Sequence, residues 1–453
     1  MDQARKKALE VLTRWEKRGS TMDPLFDAFV MEDPLLTDLD KAFVRAVVYG
    51  VLRWRGRLDW IIAAYSRIKP SRLERAILAI LRMGTYQILF MDRVPAPAAV
   101  DESVKLAKGL RKKEATAFVN GILRGIAEGR KEIAYPDLRT DPIAYIAAFH
   151  SHPAWLVQRW VDQRGVEETI SLCQANNQFR PLTVRVNTLK GSREEVIQEL
   201  HNEGIEAFPT PFSPVGISIE APPALTSWGP LQQGWLQVQD EAAQLVSLIL
   251  APKPGERILD LCAAPGGKTT HLAELMQDQG EIVAVDLSPV KLQRLQENCR
   301  RLGIAIVKSL AQDATAPLPF PPGSFDCCLV DAPCTGLGTL RRHPEGKWRI
   351  TEKDILRLQE IQGQILRQAA PLVKQGGVLV YSTCTLTQEE NEGVIEAFLS
   401  EQNGFRLEDA SPLLPAGCEG LVDEHGYLRT LPHRHKTDGF FAARMSRTAL
   451  IKI

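Results

Sequence analysis

Arg257-Ile258-Leu259-Asp260-Leu261-Cys262-Ala263-Ala264-Pro265-Gly266-Gly267-Lys268-Thr269-Thr270 is the stretch that decides the fold. An apolar run of strand length ends at Leu261, and Gly266-Gly267 turns the chain into a helix. The free N–H groups and positive dipole end of that helix face the turn, which suits a carboxylate. Further apolar strand candidates lie at Ile282–Asp286, around Ile304–Lys308, at Cys327–Asp331 and at Val378–Tyr381, with helical stretches between them. This alternation predicts a Rossmann-like α/β domain with a parallel, doubly wound sheet from about residue 236 to 453. Such sheets bind ligands beyond the carboxyl ends of their strands, where the strand order reverses.

Three acids fall at those ends. Asp260 can fix the glycine turn or meet the ammonium group of an amino-acid ligand. Asp286 closes the second strand, 20 residues after Gly266, and is placed to accept hydrogen bonds from two ribose hydroxyls. Asp313 follows the third strand and can reach an adenine amino group. Gly267-Lys268-Thr269 echoes a phosphate loop, but Cys262 stands where that loop needs its first glycine. The spacing therefore favours an adenosine-containing cofactor without a long phosphate chain.

Two cysteines sit just beyond apolar strands, in Asp331-Ala332-Pro333-Cys334 and in Ser382-Thr383-Cys384. Neighbouring strands would bring both thiols to the cofactor cleft. Cys327 and Cys328, inside a strand, read as small buried hydrophobes. There is no Cys-x-x-Cys pair, so neither zinc nor any other metal is expected.

These motifs resemble the NOL1/NOP2/Sun family of RNA cytosine-5 methyltransferases. The likeness continues through Arg341-Arg342-His343-Pro344-Glu345, Glu389-Glu390-Asn391, Asp438-Gly439-Phe440-Phe441 and, upstream, Val238-Gln239-Asp240-Glu241-Ala242. It implies S-adenosyl-L-methionine as cofactor, held in a class I methyltransferase domain by Asp260, Cys262, Ala263, Ala264, Pro265, Gly266, Gly267, Lys268, Asp286, Asp313 and Asp331. It implies Cys384 as the nucleophile that adds to carbon 6 of cytosine, Cys334 as the residue assisting release, and Asp331 as a hydrogen-bond partner of cytosine nitrogen 3. Arg341, Arg342 and Arg349 are candidate contacts to RNA phosphates, or ordinary surface charges.

Residues 1–135 read as an all-α bundle. Ala8, Val11, Leu12 and Trp15 form one apolar stripe; Phe43 to Val51, Leu58 to Tyr65 and Leu73 to Leu81 form others. Val94-Pro95-Ala96-Pro97, Asp101-Glu102-Ser103-Val104 and Phe118-Val119-Asn120-Gly121-Ile122-Leu123-Arg124 resemble the NusB RNA-binding fold. Joined to the catalytic part, that domain resembles the bacterial 16S ribosomal RNA enzymes of the family, which implies 16S ribosomal RNA as partner. Residues 1–135 carry 25 Lys and Arg against 17 Asp and Glu, on a chain whose net charge is +0, and a basic part suits a polyanion.

Residues 136–152, with Pro136, Pro142 and Pro153, read as a linker. Residues 153–235 read as a small α+β module of ferredoxin or RRM type, with strands at Leu182–Val186 and Ile217–Ile219. Ser192 and Glu195 open a helix there as a capping box, and Asn187 fits the family's middle module. No apolar run approaches the roughly 18 residues of a membrane helix. The N-terminus lacks a signal-peptide core. A cytoplasmic monomer with no membrane or DNA partner is expected. The alternatives are a transfer RNA cytosine-5 methyltransferase and a non-catalytic RNA-binding assembly factor; cofactor binding without methyl transfer would mark the latter.

Overall fold

The computed structural model describes residues 2–19, 21–110, 113–179, 181–220, 225 and 228–448. The chain divides into two compact units, Met1–Gln178 with Leu340–Arg349, and Phe179–Thr339 with Ile350–Ile453.

The first unit is helical. Its long helices are Gln3–Arg18, Asp38–Tyr65, Arg75–Phe90, Ala96–Gly109 and Lys113–Ala127. Asp2 caps the first by accepting from Ala4 N at 2.8 Å and Arg5 N at 3.3 Å. Thr37 and Asp40 form a capping box at the start of Asp38–Tyr65. The two stripes read at Phe43–Val51 and Leu58–Tyr65 lie on this one helix, where Val47, Val51, Leu58 and Ile62 are buried in the bundle core.

Two features of this unit depart from expectation. The stretch 136–152 is not simply a linker: Pro142–Phe149 is a helix, opened by Asp141, whose carboxylate accepts from Ala144 N at 3.0 Å. Pro142 was read as a breaker, yet it occupies the first helical position, where a missing N–H costs nothing. Helices Ala154–Arg164 and Val166–Asn177 pack in the helical unit rather than in the α+β module, burying Leu156, Trp160, Leu172 and Cys173.

The segment Leu340–Arg349 also belongs to this unit. Trp348 Nε1 donates to Leu52 O at 2.6 Å, and Lys347 Nζ donates to Arg53 O at 2.9 Å and Asn177 Oδ1 at 3.1 Å. Arg53 Nη2 donates to Arg341 O at 2.6 Å, and Glu345 Oε1 accepts from Met22 N at 3.0 Å. Burial drives the pKa of the Lys347 amine well below its usual value.

In the second unit, a small antiparallel sheet holds β1 (Leu182–Val186), β2 (Ala207–Pro209), β3 (Gly216–Ile219) and β4 (Leu236–Val238), in the order β2-β3-β1-β4. Helix Arg193–Asn202 carries the Ser192/Glu195 capping box, and its Val196 and Leu200 pack on Val184, Val186, Ile217 and Leu236. β4 lies past residue 235, so the module's sheet runs beyond the expected boundary. Three residues give too little pattern to read.

The large sheet contains β5 (Arg257–Leu261), β6 (Glu281–Asp286), β7 (Val307–Ala311), β8 (Phe325–Asp331), β9 (Val373–Thr383), β10 (Phe405–Glu408), β11 (Leu428–Arg429) and β12 (Phe441–Arg447). Its order is β10-β12-β9-β8-β5-β6-β7, with β11 pairing on β12. β5 to β9 run parallel, whereas β12 is antiparallel to β9, β10 and β11. The sheet is therefore mixed rather than wholly parallel. β7 starts three residues later than expected; before it, the Asp278 carboxylate accepts from Ala305 N at 3.0 Å and Ile306 N at 3.1 Å. β5 pairs with both β6 and β8, so the strand order reverses between β5 and β8.

Arg185, on β1, ties the small sheet to the helix after β5 and is fully buried. Its Nε and Nη2 donate to the two oxygens of Glu274 at 2.9 and 2.7 Å. The same guanidinium donates to Gly267 O at 2.7 Å, to Thr270 Oγ1 at 3.0 Å and to Gln239 Oε1. Burial raises the pKa of the Glu274 carboxyl, opposed by the charge of Arg185. Replacing Glu274 with alanine leaves that guanidinium buried without a counter-charge. The expected loss of stability is about 3–5 kcal/mol, read by urea unfolding. A loss under about 1 kcal/mol would mean that water compensates Arg185 in the folded state.

Candidate active site

The loop after β5 is built by its own residues. Cys262 takes a left-handed backbone conformation, φ 62°, and Gly266 another, φ 99°. A Cβ on Gly266 would lie 2.8 Å from Leu295 Cγ, so that position needs glycine for space as well as for φ. Helix Gly267–Leu275 starts there without a side-chain cap, which leaves its first N–H groups to a ligand.

Asp260 is fully buried at the end of β5. Its Oδ2 accepts from Thr269 Oγ1 at 2.6 Å, which fixes the turn, while its buried Oδ1 has no hydrogen-bond partner. Burial pushes its pKa up to about 7, against the Thr269 hydrogen bond, which lowers it. A carboxylate with one idle buried oxygen is a receptor for an ammonium group. Asp286 lies at the end of β6 and accepts from Ser288 N at 2.9 Å and Ala264 N at 3.2 Å, so it braces the loop. Asp313 is exposed, and hydrogen bonds from Thr315 Oγ1 and N lower its pKa. The donor set fits a nucleoside carrying an amino acid: an idle acid for the ammonium, open N–H groups for the carboxylate, and two further acids at the next strand ends.

β8 and β9 supply the second half of the site. Asp331 pairs with Ser382 across the two strands. Its carboxylate accepts from Ser382 Oγ at 2.8 Å and meets Lys268 Nζ at 2.8 Å. Lys268 Nζ also lies 4.9 Å from the centre of the Phe440 ring. Three residues past Asp331 and two past Ser382, Cys334 Sγ and Cys384 Sγ stand 3.3 Å apart. The hydrogen bond with Cys384, followed by burial, raises the Cys334 pKa well above its usual value.

The loops that carry the thiols are satisfied by buried polar groups. Gly338 N donates to Cys384 O at 2.9 Å, and Gly439 N to Gly338 O at 2.8 Å. Glu390 and Asn391 bond to both strand ends from a buried position. Arg185, Gln362 and Thr335 carry no role in the reading of the sequence, and Ser382 enters it only as part of a motif, because the partners of each lie far away along the chain. Arg341 requires a correction. It is 6% exposed, so it is not a surface cation for phosphates, because its segment packs into the helical unit. Arg342 is half-buried and Arg349 is exposed.

Comparison with known proteins agrees with this architecture. Residues 247–446 match the 16S rRNA methyltransferase RsmB/F family, residues 2–128 the NusB family, and residues 152–226 the ferredoxin-like domain of RsmF/B-like methyltransferases. The chain is 39% identical to the probable ribosomal RNA small subunit methyltransferase B of Synechocystis, covering 99% of this chain and 100% of that protein. It is 36% identical to the Bacillus subtilis protein of the same name, covering 97% of this chain and 98% of the other. The crystal structure of NSun6 from Pyrococcus horikoshii with SFG, an analogue of S-adenosylmethionine, superposes with a TM-score of 0.58. That match has 26% identity and covers 66% of this chain and 99% of the archaeal one. S-adenosylmethionine is the cofactor of this methyltransferase. Near-complete coverage at this identity shows that the chain belongs to the ribosomal RNA small subunit methyltransferase B family.

Proposed function

We propose that this ribosomal RNA methyltransferase modifies carbon 5 of a cytosine in 16S ribosomal RNA, through a covalent bond between Cys384 and carbon 6 of the base. The observation that carries this reading is the pair of thiols 3.3 Å apart beside Asp331, at the ends of adjacent parallel strands. Carbon 5 of cytosine is too weakly nucleophilic to take a methyl group unaided. Bound S-adenosylmethionine supplies an electrophilic methyl group. The protein's part is to activate the base. Addition of the Cys384 thiolate to carbon 6 makes carbon 5 enamine-like and builds charge on nitrogen 3. The proton that leaves the Cys384 thiol on attack is taken up between nitrogen 3 and Asp331 and offsets that charge, with Ser382 Oγ and Lys268 Nζ holding the carboxylate in place. Transfer of the carbon 5 proton to water, and departure of Cys384 with return of the nitrogen 3 proton to its sulfur, restore the ring. Cys334, whose sulfur lies 3.3 Å from that of Cys384, is the group we assign to assist that last step.

RNA would be held largely by charge. Arg67, Lys69 and Arg72 are exposed on the loop between helices Asp38–Tyr65 and Arg75–Phe90, and Arg349 is exposed as well. These groups suit phosphates.

Three measurements test this reading. Replacing Asp286 with alanine removes a charged acceptor, so S-adenosylmethionine should bind roughly 10- to 100-fold more weakly by calorimetry. Unchanged affinity in a folded variant removes Asp286 from the site.

The triple variant Arg67→Gln, Lys69→Gln, Arg72→Gln should flatten the dependence of log affinity for RNA on log salt by roughly 2–3, at about 0.7–0.9 per phosphate contact. Cofactor affinity should stay the same. An unchanged salt slope places the RNA elsewhere.

The two thiols should behave oppositely. Cys384→Ala should form neither product nor a covalent RNA complex. Cys334→Ala should accumulate a protein–RNA complex that survives denaturing electrophoresis. A complex trapped by Cys384→Ala instead would reverse the roles, and methylation intact in both variants would remove the thiols from the chemistry.

A further inference from the structure

We propose that Glu390 is a positioning residue whose single carboxylate sets the distance between the two thiols. This rests on the reading of Cys384 and Cys334 above, but its geometry stands independently of it.

Glu390 is fully buried. Its Oε1 accepts from Thr335 N at 2.8 Å and from Gln362 Nε2 at 3.1 Å. Its Oε2 accepts from Thr335 Oγ1 at 2.5 Å and Thr387 Oγ1 at 2.6 Å. Thr335 directly follows Cys334, and Thr385 directly follows Cys384. One carboxylate therefore grips the Cys334 loop directly at Thr335 and the Cys384 loop at Thr387, and Thr385 joins the network by donating its hydroxyl to Thr335 Oγ1 at 2.6 Å. Gln362 extends the grip backwards by donating to Pro333 O at 2.9 Å, the carbonyl before Cys334.

Glu390 is itself fixed. Its backbone carbonyl accepts from Tyr381 OH at 2.6 Å. The next residue, Asn391, brackets Cys384: its Oδ1 accepts from Thr383 Oγ1 at 2.5 Å, and its Nδ2 donates to Thr385 O at 3.2 Å.

The partners favour a carboxylate, because both of its oxygens accept. The backbone N–H of Thr335 and the Gln362 amide donate to one of them, and two threonine hydroxyls to the other. A glutamine of the same shape keeps an oxygen for the first pair, but its NH₂ group cannot accept from the hydroxyls, which must turn their protons elsewhere. The thiols themselves do not touch Glu390, so it acts through the loops. Rate is sensitive to such placement, since a shift of about 1 Å in a reacting group costs roughly 100-fold.

The test uses the full chain and phenylarsine oxide, a trivalent arsenical that bridges two thiols only when they are close. Wild type should chelate one equivalent across Cys334 and Cys384, and Cys334→Ala should lose that equivalent. In Glu390→Gln the arsenical affinity should fall at least about 10-fold, and the rate of the covalent RNA complex by roughly 10- to 100-fold. The dissociation constant for S-adenosylmethionine should hold, since Glu390 contacts no residue of the β5 loop. Thr387→Val, which removes one donor, should shift both readouts in the same direction by less, and it serves where Glu390→Gln fails to fold. A folded Glu390→Gln variant with unchanged arsenical affinity and unchanged complex formation overturns the proposal. Lost chelation in Glu390→Gln, with no RNA complex from any variant, would uphold the positioning role and reject the covalent mechanism.

Discussion

Parallel pairing of β8 with β9 is the constraint on which the thiol site depends. The register sets Asp331 opposite Ser382, and Ala332 N donates to Ser382 O at 2.9 Å at the last rung. Neighbouring strands lie about 4.8 Å apart. Loops leaving both at the same level therefore cannot separate quickly, and Cys334 and Cys384 meet within three residues of the ladder's end. Slipping the register by one residue would turn Asp331 to the other face of the sheet. The acid and the two thiols converge because the ladder keeps count, more than because of any loop conformation.

Buried charge is then handled in three different ways. Arg185 and Glu274 neutralise each other, and the spare donors of the guanidinium go to Gly267 O and Thr270, at the start of the helix that follows the β5 loop. A buried pair of this kind contributes little net stability over an apolar one, but it fixes direction. Glu390 accepts from neutral donors, those of Thr335, Gln362 and Thr387, and these hydrogen bonds compensate its burial. Lys347 donates to Arg53 O and Asn177 Oδ1, and burial shifts it towards the neutral amine. The first two arrangements adjoin the candidate site; the third belongs to the helical unit.

What could be read from the sequence follows the range of the interactions. β1 and β5 begin and end where their alternation and apolar runs said, because a strand flanked by turn residues declares itself within a short window. The positions of Asp260, Asp286 and Asp313 were legible for the same reason: each sits at or just past a strand end. The capping box at Ser192 is a four-residue pattern and was equally plain. β12 was missed as a strand although its first residue closes a quoted motif, because an antiparallel return into a parallel sheet leaves no mark on local periodicity. Pro142 misled because a proline looks the same at a helix start as at a break. Arg341 misled because nothing local distinguishes a cation on a surface from one whose segment is drawn into another unit.

The two halves of the site differ in the same respect. Residues that brace the cofactor loop come largely from one continuous stretch, Asp260 to Ser288, and they fold against their own neighbours. The thiol half draws on Pro333 to Gly338, Gln362, Tyr381 to Asn391 and Gly439. Gly338 is the joint among them: it donates to Cys384 O, accepts from Gly439 N, and a Cβ there would lie 2.0 Å from Gly439 O. The residues leading into β12 thus close over the thiol loops, and no side chain fits at the crossing. A site assembled from four separated stretches has its geometry set by the completed sheet, which is why a buried carboxylate between the loops is needed to hold a spacing that neither loop determines alone.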